Sequence, residues 1–423
     1  MAAGQSADCS SRNRLKQISR RMRMHTSSRH KARLGRVISA TLGLLLVGVA
    51  ATPSHAESIR SMQWHLDAMQ AEEMWKSSTG KGVTVAVIDT GVDPTVPDLR
   101  GQVLDGRDFS PEAGTSADDV DGHGTGIAAL IAGTGKGKGA YGLAPDAKIL
   151  PVRLWKVSGE QMGMEEEKSL AAAIRYAADS SAKVINMSIG GPMHSETVTE
   201  AVRYALTKDK LLFASVGNYG SAVGYPAATP GVVGVGAVDK ETNKTDESSV
   251  GPKVDLVAPG IDMVGACTGG TGVCKSHGTS GATALASASA ALIWSQHPEW
   301  TNNQVLRVML NTAGGPRSGN KRNDSIGYGV VRPRIALKSP GDPGPADEYP
   351  LPDLAEAAAP SSAPSPDASE PAAGSEDSKE KPAVAAPASE DESNSGLWIG
   401  LGVAAALLIG AAIGIPVVRA RRG

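Results

Sequence analysis

The chain is poor in cysteine and aromatic residues and carries almost no net charge. Three cysteines in 423 residues (Cys9, Cys267 and Cys274) exclude a disulfide-rich mini-scaffold and a four-cysteine zinc cluster. Aromatics make up 4% and the formal net charge is −2, which excludes a globally basic nucleic-acid binder. Glycine is plentiful at 50 residues but has no three-residue period, so a collagen-like chain is excluded and tight turns are expected instead. Long apolar runs occur only towards the two ends.

The small net charge hides a split. Residues 1–36 hold ten Lys/Arg and one Asp, residues 341–396 hold thirteen Asp/Glu and two Lys, and three Arg follow residue 418. The central body is therefore close to neutral. Residues 12–36 are basic, residues 37–49 are apolar, and Ser54-His55-Ala56 supplies small residues for cleavage. This order reads as a secretory signal peptide over residues 1–56, with initiation at Met22 or Met24 giving a more usual length. Residues 397–418 form an uncharged apolar stretch that as a helix spans about 33 Å, enough for a bilayer core of about 30 Å. Arg419, Arg421 and Arg422 keep residues 419–423 cytoplasmic. The expected topology is an exported body, one transmembrane helix at 397–418 and a short basic tail inside. Residues 341–396, dominated by Pro, Ala, Ser, Glu and Asp, read as a disordered linker reaching about 40 Å as a coil.

Between these ends lie an N-terminal extension, residues 57–82, and a main domain, residues 83–340. Short apolar runs at 83–88, 148–154, 183–187, 211–215, 232–238 and 254–258 read as buried parallel strands. Helical patterns at 124–133, 164–179, 196–208, 279–297 and 301–312 alternate with them, and Thr301 is a candidate N-cap. The expectation is an α/β fold, a mostly parallel sheet with helices on both faces. Such sheets place their sites beyond the carboxyl ends of the strands. The extension, before the first strand, is expected over the body or its cleft.

Three segments carry chemistry. Ile88-Asp89-Thr90-Gly91 puts a carboxylate at the end of a buried strand, Asp121-Gly122-His123-Gly124-Thr125 puts an imidazole at a helix start, and His277-Gly278-Thr279-Ser280 puts a hydroxyl at the start of a long helix of small residues. A serine needs a base to become a nucleophile, histidine is that base near neutral pH, and an aspartate fixes the imidazole tautomer and stabilises the imidazolium. Asn218, after the strand at 211–215, offers an amide donor to a developing oxyanion, with the Ser280 backbone N–H as its partner. Each signal is weak alone; together, in the order Asp, His, Asn, Ser within one α/β domain, they point to acyl transfer.

At this point the residues resemble the subtilisin-like serine peptidases, or subtilases, over residues 64–337. The resemblance assigns the catalytic roles to Asp89, His123 and Ser280 and the oxyanion role to Asn218. Asn186-Met187-Ser188-Ile189-Gly190-Gly191 is similar to the family's substrate-pairing strand and turn, and Tyr225-Pro226-Ala227 to the turn after the oxyanion Asn. It implies that Ser188, Ile189 and Gly190 bind an extended substrate and that Ser215 and Gly217 wall the pocket for the residue before the scissile bond, apolar or small. The chain departs from the family pattern at Gly126 and Ala129 and at Gly281, Ala282 and Ala284. Within the family it most resembles the mycosins, membrane-anchored subtilases of type VII secretion systems, through the signal peptide, the opening Trp64-His65-Leu66-Asp67-Ala68, the Pro-rich tether and the terminal apolar stretch.

The resemblance implies a membrane-tethered extracytoplasmic serine endopeptidase with extended polypeptides as substrates and type VII secretion membrane components as partners. The alternatives are an assembly factor that braces a secretion complex, and a degradative surface peptidase. Cys267 and Cys274 bracket a Gly-rich loop just before Ser280 and are expected to be disulfide-bonded outside the cytoplasm, contributing roughly 2–3 kcal/mol. No cofactor is expected. Calcium is common in the family, but no dense run of carboxylates marks a metal site.

Overall fold

The computed structural model describes residues 58–154, 164–268 and 273–353. The expected signal peptide, transmembrane helix and basic tail lie outside the described residues, among which no helix is long and apolar enough to cross a membrane.

Residues 58–82 are built into the body. They form three short helices, α1 (Ile59–Met62), α2 (Trp64–Ala68) and α3 (Ala71–Met74). Leu66, Met69, Ala71 and Met74 join the same apolar core as the sheet. Gln63 reads the backbone of Tyr141 in both directions, donating to its carbonyl at 2.7 Å and accepting from its N–H at 3.0 Å. Trp64 donates its indole N–H to Ile261 at 3.0 Å. His65 is fully buried; burial, with Arg60 nearby, lowers its pKa to about 3, so it is a neutral core residue. None of these residues lines the cleft described below: the extension lies over the body, and no structural boundary separates it from the strand that follows.

The strands of the main sheet are β1 (Thr84–Asp89), β2 (Arg107–Asp108), β3 (Lys148–Arg153), β4 (Val184–Met187), β5 (Leu211–Ser215), β6 (Val233–Val238) and β7 (Leu256–Pro259). They pair in parallel in the order β2-β3-β1-β4-β5-β6-β7. From β4 to β7 every strand residue is buried, as expected for strands covered on both faces. Helices α4 (His123–Ala132), α5 (Met164–Asp179), α6 (Glu196–Leu206), α7 (Thr279–Gln296), α8 (Asn302–Thr312) and α9 (Pro333–Lys338) flank the sheet. Helices α5 and α6 pack together, with α5 against β1, β3 and β4; α7 lies along β4 to β7 and packs against α4. Helix α7 is buried almost throughout, because its Ala, Ser, Gly and Thr side chains let backbone approach on all sides. Helix α8 starts with a capping box in which Thr301 and Gln304 each satisfy the other's backbone N–H.

A second small sheet is a hairpin of β8 (Met263–Ala266) and β9 (Val273–Ser276). The Cys267–Cys274 disulfide ties its strands together, with Cα atoms 5.3 Å apart, immediately before the turn into α7.

Residues 341–353, expected to begin a disordered linker, are instead strapped to the body. Arg307 on α8 donates to the carbonyls of Pro343, Pro345 and Glu348 at 2.7, 3.0 and 2.6 Å. Thr301 and Asn303 both donate to Ala346, Leu351 is buried, and Asp353 pairs with Lys253 at 2.6 Å. An extended segment without apolar periodicity is held here through its backbone carbonyls rather than through a buried face. Arg307→Ala should expose residues 341–353 to protease and lower unfolding stability by about 2 kcal/mol, since hydrogen bonds to charged donors contribute about 1.5–3 kcal/mol. Limited proteolysis and urea unfolding measure both.

Candidate active site

The strand order fixes where a crevice forms. From β1 the chain passes to β2 and β3 on one side, then crosses to β4 on the other. The loops beyond the carboxyl ends of β1 and β4 therefore diverge, which is the switch point at which open parallel sheets bind ligands. Asp89 is the last residue of β1, Ser188 follows β4, and Asn218 lies just beyond β5. His123 opens α4, and Ser280 lies in the first turn of α7.

Asp89 and His123 meet at this crevice. The imidazole Nδ1 lies 2.7 Å from Asp89 Oδ1, the Asp89 side chain is fully buried, and the imidazole is 36% exposed, so its other edge can face a ligand. Asp89 Oδ1 also accepts from the Thr90 N–H at 2.8 Å. The approach is possible because residue 124 is glycine: a Cβ there would lie 2.1 Å from the Gly91 carbonyl and 3.2 Å from Asp89 Oδ1.

Asp119 holds both partners in place, a role that the sequence analysis did not assign. Its Oδ1 accepts from the Gly122 N–H and from Thr90 Oγ1, each at 2.8 Å. Its Oδ2 accepts from the Thr125 N–H at 2.8 Å and from Thr125 Oγ1 at 2.6 Å. The N-cap residue itself is Gly122, which has no side chain to cap with, so Asp119 satisfies the first-turn donor from the preceding loop. Thr90 in turn accepts from the Gly124 N–H at 3.0 Å. The acidic run Asp118-Asp119-Val120-Asp121 before His123 was the available signal.

The same negative charge tunes His123. The charge of Asp89 raises its pKa above the ordinary 6.5, against the opposing effect of burial; the hydrogen bond to Asp89 and the charges of Asp121 and Asp119 add to the rise, which reaches about 9. The folded state therefore keeps a proton that the unfolded state releases. The stabilisation is complete below about 6.5 and is lost as pH rises through about 9.

On the opposite wall, Asn218 Oδ1 accepts from the Thr279 N–H at 2.8 Å and from Thr279 Oγ1 at 2.9 Å. Both bonds engage the oxygen and leave the amide NH₂ for another acceptor. Gly278, at φ 118°, permits this contact: a Cβ there would lie 2.8 Å from Asn218 Nδ2. Ser280 Oγ donates to the Ser188 carbonyl at 3.2 Å, and Ser188 Oγ donates to the Ser280 carbonyl at 3.0 Å. Asn186 donates to Ser188 Oγ and accepts from Ser287 of α7, both at 3.0 Å. Among the described residues no hydrogen bond joins Ser280 and His123; the hydroxyl rests on the Ser188 carbonyl just after β4 and must rotate to meet the imidazole, as catalytic hydrogen bonds often tighten only with substrate bound.

The nine catalytic, oxyanion and substrate-binding residues expected from the sequence, Asp89, His123, Ser188, Ile189, Gly190, Ser215, Gly217, Asn218 and Ser280, line one cavity of about 470 Å³. Beyond them the cavity is lined by Pro192, Tyr219 and Ser249, among others. The arrangement offers a base paired with a carboxylate, a hydroxyl, and an amide donor around one space, the parts needed for acyl transfer. Among the described residues no group of three or more His, Cys, Asp or Glu side chains gathers to hold a metal.

Comparison with known proteins agrees with this geometry. Residues 80–329 match the model of the Subtilase family, Peptidase_S8. The chain is 34% identical over 281 residues to Subtilisin Savinase of Lederbergia lenta, covering 66% of this chain and 100% of that protein. It spans 61% of the length of the Bacillus subtilis relatives that it matches. Among solved structures it is similar to MycP1 from Mycobacterium smegmatis, with TM-score 0.60 and 28% identity over 70% of this chain and 89% of that one. It is also similar to a serine protease MycP1 described as an essential component of the type VII (ESX-1) secretion system, with TM-score 0.60 and 31% identity over 68% of this chain and 90% of that one.

An NMR titration of the His123 ring should give a midpoint above 6.5 and near 9, and Asp121→Asn should lower it. A midpoint at or below the ordinary value would mean that the Asp89 charge does not reach the ring.

Proposed function

Starting from the premise that this chain belongs to the subtilase family, we propose that it is a serine endopeptidase of the mycosin kind, exported, held at the membrane by residues 397–418, and acting on polypeptides in type VII secretion. The observation that carries the catalytic part is the convergence of Asp89, His123, Asn218 and Ser280 on one cleft, with Asp89 bonded to His123 at 2.7 Å. The secretion context is supported by the likeness to MycP1 structures.

In this reading the substrate lies extended against residues 188–190, pairing backbone to backbone, with its side chains entering alternate pockets. Ser280 Oγ leaves the Ser188 carbonyl and attacks the scissile carbonyl carbon while neutral His123 takes its proton. Asp89 keeps the remaining ring proton on Nδ1 and stabilises the imidazolium that forms. The carbonyl oxygen becomes an oxyanion between the Asn218 NH₂ and the Ser280 N–H. As the C–N bond breaks, His123 returns the proton to the leaving amine. A water then attacks the acyl-enzyme by the same route, restoring Ser280 and releasing the acid. Because only neutral His123 is a base and its pKa is raised, turnover rises with pH through that value, so activity should be highest on the alkaline side.

The description of the related MycP1 as an essential component of a secretion system favours a second reading, in which the body also braces the export complex.

A serine-directed phosphonate should label Ser280 in the folded protein, and Ser280→Ala should abolish labelling; no labelling of folded wild type would sink the catalytic reading. Asn218→Ala should lower turnover by about 10²–10³, the usual effect of losing one oxyanion donor. Full rescue of secretion by Ser280→Ala in a deletion strain would assign the essential role to the brace.

A further inference from the structure

Asn218 belongs to a loop that must hold still if its amide is to serve an oxyanion. Beyond β5, residues 217–221 lie against residues 247–250. Three backbone hydrogen bonds join them: the Ser249 N–H to the Gly217 carbonyl at 3.0 Å, the Gly220 N–H to the Glu247 carbonyl at 2.8 Å, and the Val250 N–H to the Ser221 carbonyl at 2.8 Å. The loop also meets the turn into α7, where Thr279 grips Asn218 Oδ1 with its N–H and its hydroxyl. Asn218 is thus suspended between two neighbours, residues 247–250 and residues 277–279.

A side-chain bond ties those neighbours to each other. His277 Nδ1 lies 2.8 Å from Glu247 Oε2. The contacts close a ring: Asn218 to Thr279, along the chain to His277, across to Glu247, through its carbonyl to Gly220, and back along the chain to Asn218. The ring matters because Gly278, between His277 and Thr279, sits at φ 118° and lends the turn little stiffness of its own. The Gly278 N–H is anchored to the Gly260 carbonyl at 2.7 Å, which fixes the turn against the end of β7 but not against the loop of Asn218. The His277–Glu247 bond supplies that second reference. Neither residue lines the cavity, and their side chains are 72% and 25% exposed. An ion pair so open to water contributes little to overall stability; what it adds here is the alignment of two segments.

We propose that Glu247 and His277 are positioning residues for the oxyanion step, their bond fixing the turn into α7 against residues 217–221 and so aiming the Asn218 amide at the developing charge. The inference rests on the peptidase reading and deepens it. An oxyanion donor works only when held at hydrogen-bond distance from the place that the charge will occupy. Slack in the ring therefore weakens the transition state more than the ground state, which lowers the maximal rate and leaves half-saturation unchanged.

The test uses the full-length protein and the serine-directed phosphonate, whose phosphoryl oxygen takes the place of the oxyanion, and reads the maximal rate and the half-saturating concentration of Ser280 labelling. Glu247→Ala and His277→Ala should each lower the maximal rate about three- to tenfold, the range expected of one hydrogen bond, at unchanged half-saturation. The two together should lose no more than either alone, because they share one bond. Glu247→Gln, which keeps an acceptor for the imidazole, should restore most of the rate. In an Asn218→Ala background Glu247→Ala should cost nothing further, whereas a general loosening of the fold would cost the same factor in both backgrounds. Wild-type rates in both single alanine variants, or an equal loss with and without Asn218, overturn the inference and leave the peptidase reading standing. Folded wild type that takes up no phosphonate overturns the peptidase reading and this inference with it.

Discussion

The hydrogen bond between Asp89 and His123 is the constraint on which the site depends. It joins a fully buried carboxylate at the end of a central strand to an imidazole at the start of a helix, so two elements must approach to within backbone contact. Two features make that approach possible. The missing side chain at residue 124 removes the steric barrier, and the Asp119 carboxylate binds the turn after β1 and the first turn of α4 at once. The bond is therefore less an isolated pair than the end point of a loop whose acidic residues position the base and set the pH range in which it is neutral.

The nucleophile is placed by a different kind of physics. Helix α7 runs through the body with almost every side chain buried, which its mostly small side chains favour at the packing density of a protein interior. Its register against the sheet is set by a short polar chain, Ser287 to Asn186 to Ser188 to the Ser280 carbonyl. A buried polar chain of this sort is costly unless every member is paired, so it resists sliding of α7 along β4. The oxyanion wall follows from the same helix, because Thr279 grips Asn218 from the residue before the nucleophile.

Much of this was legible in the residues. The buried strands announced themselves as short apolar runs, and Thr301 as an N-cap. The residues expected at the site do line one cavity, because the strand ends and helix starts that carry them are local features of an α/β chain. Asp119 was visible only as one member of an acidic run; its role was not, because it caps a helix from outside, across a glycine, and only the folded loop brings it there. The hairpin of β8 and β9 was missed because four-residue strands beside a Gly-rich loop carry no periodicity; the cysteine pair was its one visible trace. Residues 59–74 are too short and polar as separate helices to signal that they belong to the core, and residues 341–353 are held through carbonyls, which leave no side-chain pattern. The expectations about export and anchoring fall on residues outside the described ones.

The strap over α8 has a mechanical consequence. Its last contact among the described residues, Asp353 with Lys253, lies just before β7 begins, at the pole of the sheet opposite the carboxyl ends that carry Asp89 and Asn218. Tension applied to the chain beyond residue 353 would be borne first by that ion pair and by the Arg307 clasp. Neither shares an atom with the walls of the cleft, so a tug on the tail would be absorbed at the far pole before it could disturb the alignment of nucleophile and base.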